Sequence, residues 1–287
     1  MIKHLASLVA ASTLLALVLV SPAFALSNRA WVSGHGTDTA GCGSPASACR
    51  TFQYVHDNII AAGGEIDVLD PGGYGTITIT KALSIVNDGV GTVGVQQPIP
   101  GQNAITINAG ASDAVFLRGL NIEGLGAATI GVFLNSGGSL NVVNCTVRHF
   151  ATGISVAPSS GVTTVSISNT IATDNSFFGI ALAASAGGTV AGIVSQTTAT
   201  RNTQAGISLG GNGGGVLAEI TDGIFANNNT GIAVNGGASI ILGRTIATGN
   251  HTGVSISGGS ASSYGDNKID GNPTANVSGT LSSLQTR

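Results

Sequence analysis

The chain has 287 residues, 44 of them glycine, with 43% hydrophobic and only 8% charged residues and a formal net charge of −3. Disorder is excluded, because a disordered chain is poor in apolar residues and rich in charge, and collagen is excluded because the glycines keep no three-residue period. Ten Lys and Arg against thirteen Asp and Glu leave no basic footprint for phosphates, which sets nucleic acid aside as a partner.

The chain opens with a polar Lys3-His4, an apolar run from Leu5 to Val20, the breaker Pro22 and the small-x-small triplet Ala23-Phe24-Ala25. This order reads as a secretory signal peptide over 1–25, cleaved after Ala25, and the expected location is secreted or periplasmic. An uncleaved anchor is the alternative, but the run is short for a spanning helix. After cleavage no segment is long and apolar enough to enter a membrane. In an oxidising compartment Cys42 and Cys49, seven residues apart across a Gly/Ser/Pro turn, form a local disulfide; two free thiols are the alternative. No further Cys or His pair completes a zinc set, so no metal and no cofactor is expected. Residues 26–64 read as an N-terminal strand and loop followed by an amphipathic capping helix over 51–62, with Phe52, Val55, Ile59 and Ile60 on one face and Gly63-Gly64 at its end.

A repeat organises the rest. Gly131-Val132-Phe133-Leu134, Gly153-Ile154-Ser155-Val156, Gly179-Ile180-Ala181-Leu182, Gly206-Ile207-Ser208-Leu209, Gly231-Ile232-Ala233-Val234 and Gly253-Val254-Ser255-Ile256 follow one another at spacings of 22, 26, 27, 25 and 22 residues. Two further short alternating segments lie between successive copies, with inward pairs such as Leu140/Val142 and Cys145/Val147. Period-2 alternation marks strands, and a fixed period of this size marks a solenoid. The fold class is therefore all-β: a single-stranded parallel β-helix of about eight coils with three short strands per coil. Coils are expected over 65–270, with a Ser/Gly/Thr-rich tail covering the last coil over 271–287. Asn144, Asn169, Gln196, Asp222 and Arg244 fall at equivalent corners, where a left-handed backbone is expected. The glycine run at 210–215 lacks the lysine and helix of a phosphate loop.

These residues resemble the right-handed parallel β-helix proteins of the pectin-lyase-like superfamily. Trp31 to Asp38 resembles its opening strand and loop, Thr51-Phe52-Gln53-Tyr54 its capping helix, and Gly64 to Tyr74 its first coil. The resemblance implies a right-handed helix and a carbohydrate-associated role. The polygalacturonase pattern is missing, since the chain has no Asp-Asp and no Arg-Ile-Lys, and Gly34-His35-Gly36 precedes the first coil. No cluster of carboxylates suggests a calcium site.

One ionisable constellation remains. His149, Asp174 and Arg201 align at one outward corner of three successive coils, as a candidate base and electrostatic clamp for an acidic polysaccharide. Arg118, Glu123, Arg148 and Phe178 are candidate binding residues around it, and the implied chemistry is that of a polysaccharide lyase. An ordinary surface ladder joining Asp174 to Arg201 is the alternative reading, and with it a non-enzymatic, adhesin-like surface solenoid. The pair Asp222 and Arg244 reads as structural. Cys145 sits at an inward position and reads as core.

Overall fold

A computed structural model describes residues 26–284. The signal-peptide reading falls on residues 1–25 and lies outside them. The described chain winds as a right-handed parallel β-solenoid of about eight coils with one short helix. Three faces repeat in each coil. The first is an eleven-stranded parallel sheet that includes Ser139–Val143, Gly161–Ser168, Gly188–Ser195, Gly215–Thr221 and Ala238–Gly243. The second carries short strands such as Ile171–Thr173, Thr198–Thr200, Ile224–Ala226 and Ile246–Thr248. The third carries the glycine-led strands, such as Phe178–Ser185 and Ala205–Asn212. In two coils the second and third faces join into one continuous strand, Leu120–Ser136 and Thr146–Val156.

Register follows the repeat. Leu140 faces Val165, and Val142 faces Ile167; Ile180 faces Ile207, and Leu182 faces Leu209. These side chains point inward and are fully or almost fully buried. Alternation decides the face, and stacking about 4.8 Å apart supplies the neighbour that a lone strand lacks.

The glycine at the head of each third-face strand has a steric cause. A Cβ on Gly179 would lie 2.6 Å from the Gly206 carbonyl oxygen and 2.8 Å from the Asn202 side-chain nitrogen, and a Cβ on Gly206 would lie 2.8 Å from the Gly231 oxygen. The coils approach too closely there for any side chain.

The helix, α1, spans Phe52–Asn58, shorter than the expected 51–62. Thr51 caps it by accepting the Tyr54 N–H at 3.2 Å. It ends early because Ile60–Val68 is already the first-face strand of the opening coil and pairs with Ser27–Val32. The Lys81 amine draws the turn in by donating to the carbonyls of His56 and Ile60, each at 2.7 Å. Phe52, Val55 and His56 are buried against this coil. At the other end the expected tail over 271–287 contributes strands to the sheets. Ala275–Ser278 and Leu281–Ser283 pair in parallel with Thr252–Ser257 and Ser260–Ser263, so coil stacking continues through the serine-rich segment.

Candidate functional site

Two corners flank the second face. At the first, Asn144, Asn169, Gln196, Asp222 and Arg244 all have positive φ, as expected. At the second, His149 (φ 60°), Asp174 (56°), Arg201 (54°) and Asn227 (56°) do the same. The candidate catalytic residues His149, Asp174 and Arg201 therefore occupy left-handed corner positions. Non-glycine residues other than Asn and Asp rarely take this conformation, because Cβ crowds the following carbonyl.

The next residue explains the second corner. Asn175, Asn202, Asn228, Asn250 and Asn272 are buried there in one stack. The Asn202 amide donates to Asn228 Oδ1 at 3.1 Å and to the Ala172 carbonyl at 3.1 Å, and the Asn202 N–H donates to the same Oδ1 at 2.8 Å. Asn228 and Asn250 repeat the pattern one coil on. Asn276 ends the stack by accepting from Asn272. Sequence reasoning missed this ladder. Its signal was an asparagine three or four residues before Gly179, Gly206, Gly231 and Gly253.

At the start of the row Phe150 takes the asparagine's place and is buried, its N–H donating to Asn175 Oδ1 at 3.1 Å. His149 sits just before it and turns toward the preceding coil. Its Nδ1 lies 2.7 Å from Glu123 Oε1, while Arg148 Nε donates to Glu123 Oε2 at 2.7 Å. The register makes this possible by setting Arg148 directly opposite Glu123 on the second face. Burial favours the neutral acid, but hydrogen bonds from His149, Arg148 and the Leu125 N–H outweigh it and hold the Glu123 carboxyl below the usual range. The ionised carboxylate accepts, so neutral His149 carries its proton on Nδ1 and keeps the Nε2 lone pair free. The histidine side chain is 46% exposed and the glutamate 12%. The terminal nitrogens of Arg148 make no hydrogen bond within the described residues.

These three residues line an open cleft of about 590 Å³ with Gln96, Asn121 and Gly126. Asn121 Oδ1 is buried and has no hydrogen-bond partner among the described residues. A buried orphan acceptor is costly and asks for a donor.

The other predicted residues lie elsewhere. Arg201 forks onto Asp174 with bonds of 2.7 and 2.8 Å. Chiefly through that bond the Asp174 carboxyl is held low. The pair is one coil beyond His149, which faces Glu123 instead of Asp174. Arg118 is not at this corner. It ends a first-face strand opposite Val143 and pairs with Asp88 at 3.1 Å. Phe178 is half-buried and packs edge-on against Phe177 with ring centroids 4.3 Å apart. Asp222 and Arg244 make the same fork at the first corner, at 2.7 Å for both bonds.

Cys42 and Cys49 are joined as a disulfide with Cα atoms 5.0 Å apart. Asp38 lies close to both sulfurs. It does not make a metal set, because the sulfurs are bonded to each other and the carboxylate accepts from the N–H groups of Arg50 and Thr51 and from the Thr51 hydroxyl. Cys145 is buried in the core and its thiol is pushed up to about 11 by that burial, so it is no nucleophile at neutral pH.

The fold and this geometry meet known proteins at the level of architecture. The crystal structure of pectate lyase Pel9A superposes with a TM-score of 0.63 at 15% sequence identity, covering 86% of this chain and 72% of that one. That identity speaks for the fold alone. No curated protein matches the sequence. The profile described as "Right handed beta helix region" matches residues 130–284, more than half of the chain. The chain belongs to the right-handed β-helix family.

Proposed function

We propose that this protein binds an acidic polysaccharide at the Glu123–Arg148–His149 cleft and acts there as a lyase. The observation that carries the reading is the cluster itself: a histidine oriented by a carboxylate, beside an arginine whose outer nitrogens make no hydrogen bond among the described residues. A base held by a third group is the usual arrangement for proton abstraction. Arg148 pairs with a uronate carboxylate and stabilises the charge that develops when the adjacent C–H proton is lost. His149 Nε2 takes that proton. The released electron pair forms a carbon–carbon double bond, the C–O bond of the glycosidic linkage breaks, and the leaving oxygen takes a proton from the imidazolium or water. Asn121 lines the floor of the same cleft.

Export accompanies this reading. The disulfide suits an oxidising compartment, and N-terminal sequencing of the exported protein is expected to begin at Leu26. The test of function is a panel of acidic and neutral polysaccharides, followed by affinity electrophoresis and by the ultraviolet absorbance of unsaturated products. Arg148→Ala is expected to weaken binding of the acidic polymer by about tenfold or more, the equivalent of one charge-assisted hydrogen bond. His149→Gln is expected to abolish product while leaving binding nearly intact. Binding without product from the wild type removes the lyase step. Neither binding nor product returns the protein to the second reading, a non-enzymatic surface solenoid. That reading is favoured by the matching Asp–Arg forks at both corners, which are a device of the fold.

A further inference from the structure

The first face differs in chemistry from the corner that holds the cleft. A trough of about 580 Å³ runs across five of its strands, from Asn141 to Ile241. Four strand spacings make it roughly 19 Å long. Its outer rows follow from the register. One row reads Ser166, Ile193, Glu219, Ile241, and the neighbouring row reads Thr164, Ala191, Leu217, Ser239. Ile193 is 51% exposed and Leu217 is 57% exposed, although each occupies an outward position where a sheet facing water usually carries polar residues. Beneath them the inward row narrows to Gly192 and Ala218 between Val165 and Ile240. Glu219 stands between Ile193 and Ile241, and its side chain has no ion pair or hydrogen bond among the described residues. Arg244 feels the charge of Glu219 but is forked onto Asp222.

We propose that this trough binds an extended peptide segment of a partner protein in which a lysine or arginine lies between aliphatic residues. Charge complementarity selects the cation, because the one ionisable group lining the trough, Glu219, is a carboxylate without an ion pair among the described residues. The branched side chains on either side of it select aliphatic neighbours. The hydroxyl and amide rim of Asn141, Thr164, Ser166 and Ser239 selects a peptide over an alkyl chain. An extended backbone laid on a sheet face has N–H and C=O groups to satisfy, and an alkyl chain has none. The length fits about six extended residues.

The test is fluorescence anisotropy with a labelled Leu-Ser-Lys-Ser-Leu-Gly peptide, whose lysine and leucines share one face of an extended chain, and two controls that replace its lysine by norleucine or glutamate. The lysine peptide is expected to bind saturably and the controls about tenfold more weakly. Glu219→Gln is expected to cost about tenfold, and Leu217→Ser a similar factor. Glu219→Lys is expected to reverse the preference toward the glutamate peptide, which a folding defect cannot do. The proposal is overturned if the three peptides bind alike, if none binds by about 1 mM, or if a neutral oligosaccharide displaces the lysine peptide and so claims the trough for sugar. Retained polysaccharide binding by Glu219→Gln separates this site from the Glu123–Arg148–His149 cleft.

Discussion

The two corners flanking the second face have the same backbone and different interiors. Both are rows of left-handed residues, and both hold an Asp–Arg fork of almost identical geometry. Only the second corner is followed by the buried asparagine ladder. Only there, at the ladder's first step, does a histidine turn back onto a glutamate already bonded to an arginine. A feature present at both corners belongs to the fold, and a feature present at one belongs to that place. By this comparison we propose that Asp174 and Arg201 serve the fold and that Glu123, Arg148 and His149 form the functional cluster.

The largest expected effect is on the ladder. Asn228→Ala removes the acceptor for the Asn202 N–H and amide and the donor to the Ala199 carbonyl, leaving several buried polar groups unpaired. At 1–3 kcal/mol for each group, a loss of about 3 kcal/mol or more is expected in denaturant unfolding. Asn169→Gly at the first corner, where the amide makes one exposed contact of 3.3 Å, is expected to change stability by less than about 1 kcal/mol. Equal losses would erase the contrast between the corners.

Next comes the steric demand beside the ladder. Gly206→Ala places a methyl 2.8 Å from the Gly231 oxygen and 2.9 Å from the Asn228 side-chain nitrogen. Both neighbours are fixed, so a cost of about 1–3 kcal/mol is expected by the same measurement. A neutral substitution would show that the coils can part without penalty.

Replacing the fork arginines should do less. Arg201→Gly and Arg244→Gly each relieve about 1–2 kcal/mol of left-handed strain. Against that stand the loss of an exposed ion pair, which water and salt screen, and the extra chain entropy of glycine, about 0.5–1 kcal/mol. The net change is expected within about 1 kcal/mol of zero and alike at both corners, with polysaccharide binding unchanged. A selective loss of binding in Arg201→Gly would restore Asp174 and Arg201 to the site.

The smallest effect is with pH. Glu123 and Asp174 titrate below their usual range in the folded chain. A carboxyl lowered on folding adds stability that is present above its unfolded value, about 4, and is lost as the pH falls through the folded value. Stability is therefore expected to hold from pH 7 to about 5 and to decline below about 4. Glu123→Gln should flatten part of that decline, and an unchanged slope would mean that the His149–Glu123 contact carries little energy.

The sequence was informative wherever the physics is local. Alternation in Gly179-Ile180-Ala181-Leu182 and its relatives assigns inward and outward positions without reference to any other coil, and the positive φ at Asn144, Asn169 and Asp222 follows from residue type. Errors came where the partner lies a coil away. Asn202 drew no notice in the sequence; its role comes from Asn228, 26 residues on. Arg118 reads as a neighbour of Arg148 until the register places it on another face. His149 aligns with Asp174 in the sequence, yet the left-handed turn at residue 149 aims its ring at Glu123.

By itself, then, the sequence determined the solenoid, its three-strand coil and its inward rows, and pointed to the Cys42–Cys49 bond that the structure contains, because period-2 burial and short-range closure are properties of neighbouring residues. Tertiary structure decided which carboxylate each cation meets, where the polar ladder is buried, and that Ile193, Leu217 and Glu219 share one trough. Those depend on stacking register, which sums small differences in coil length over many residues and can be read only when the coils lie on one another.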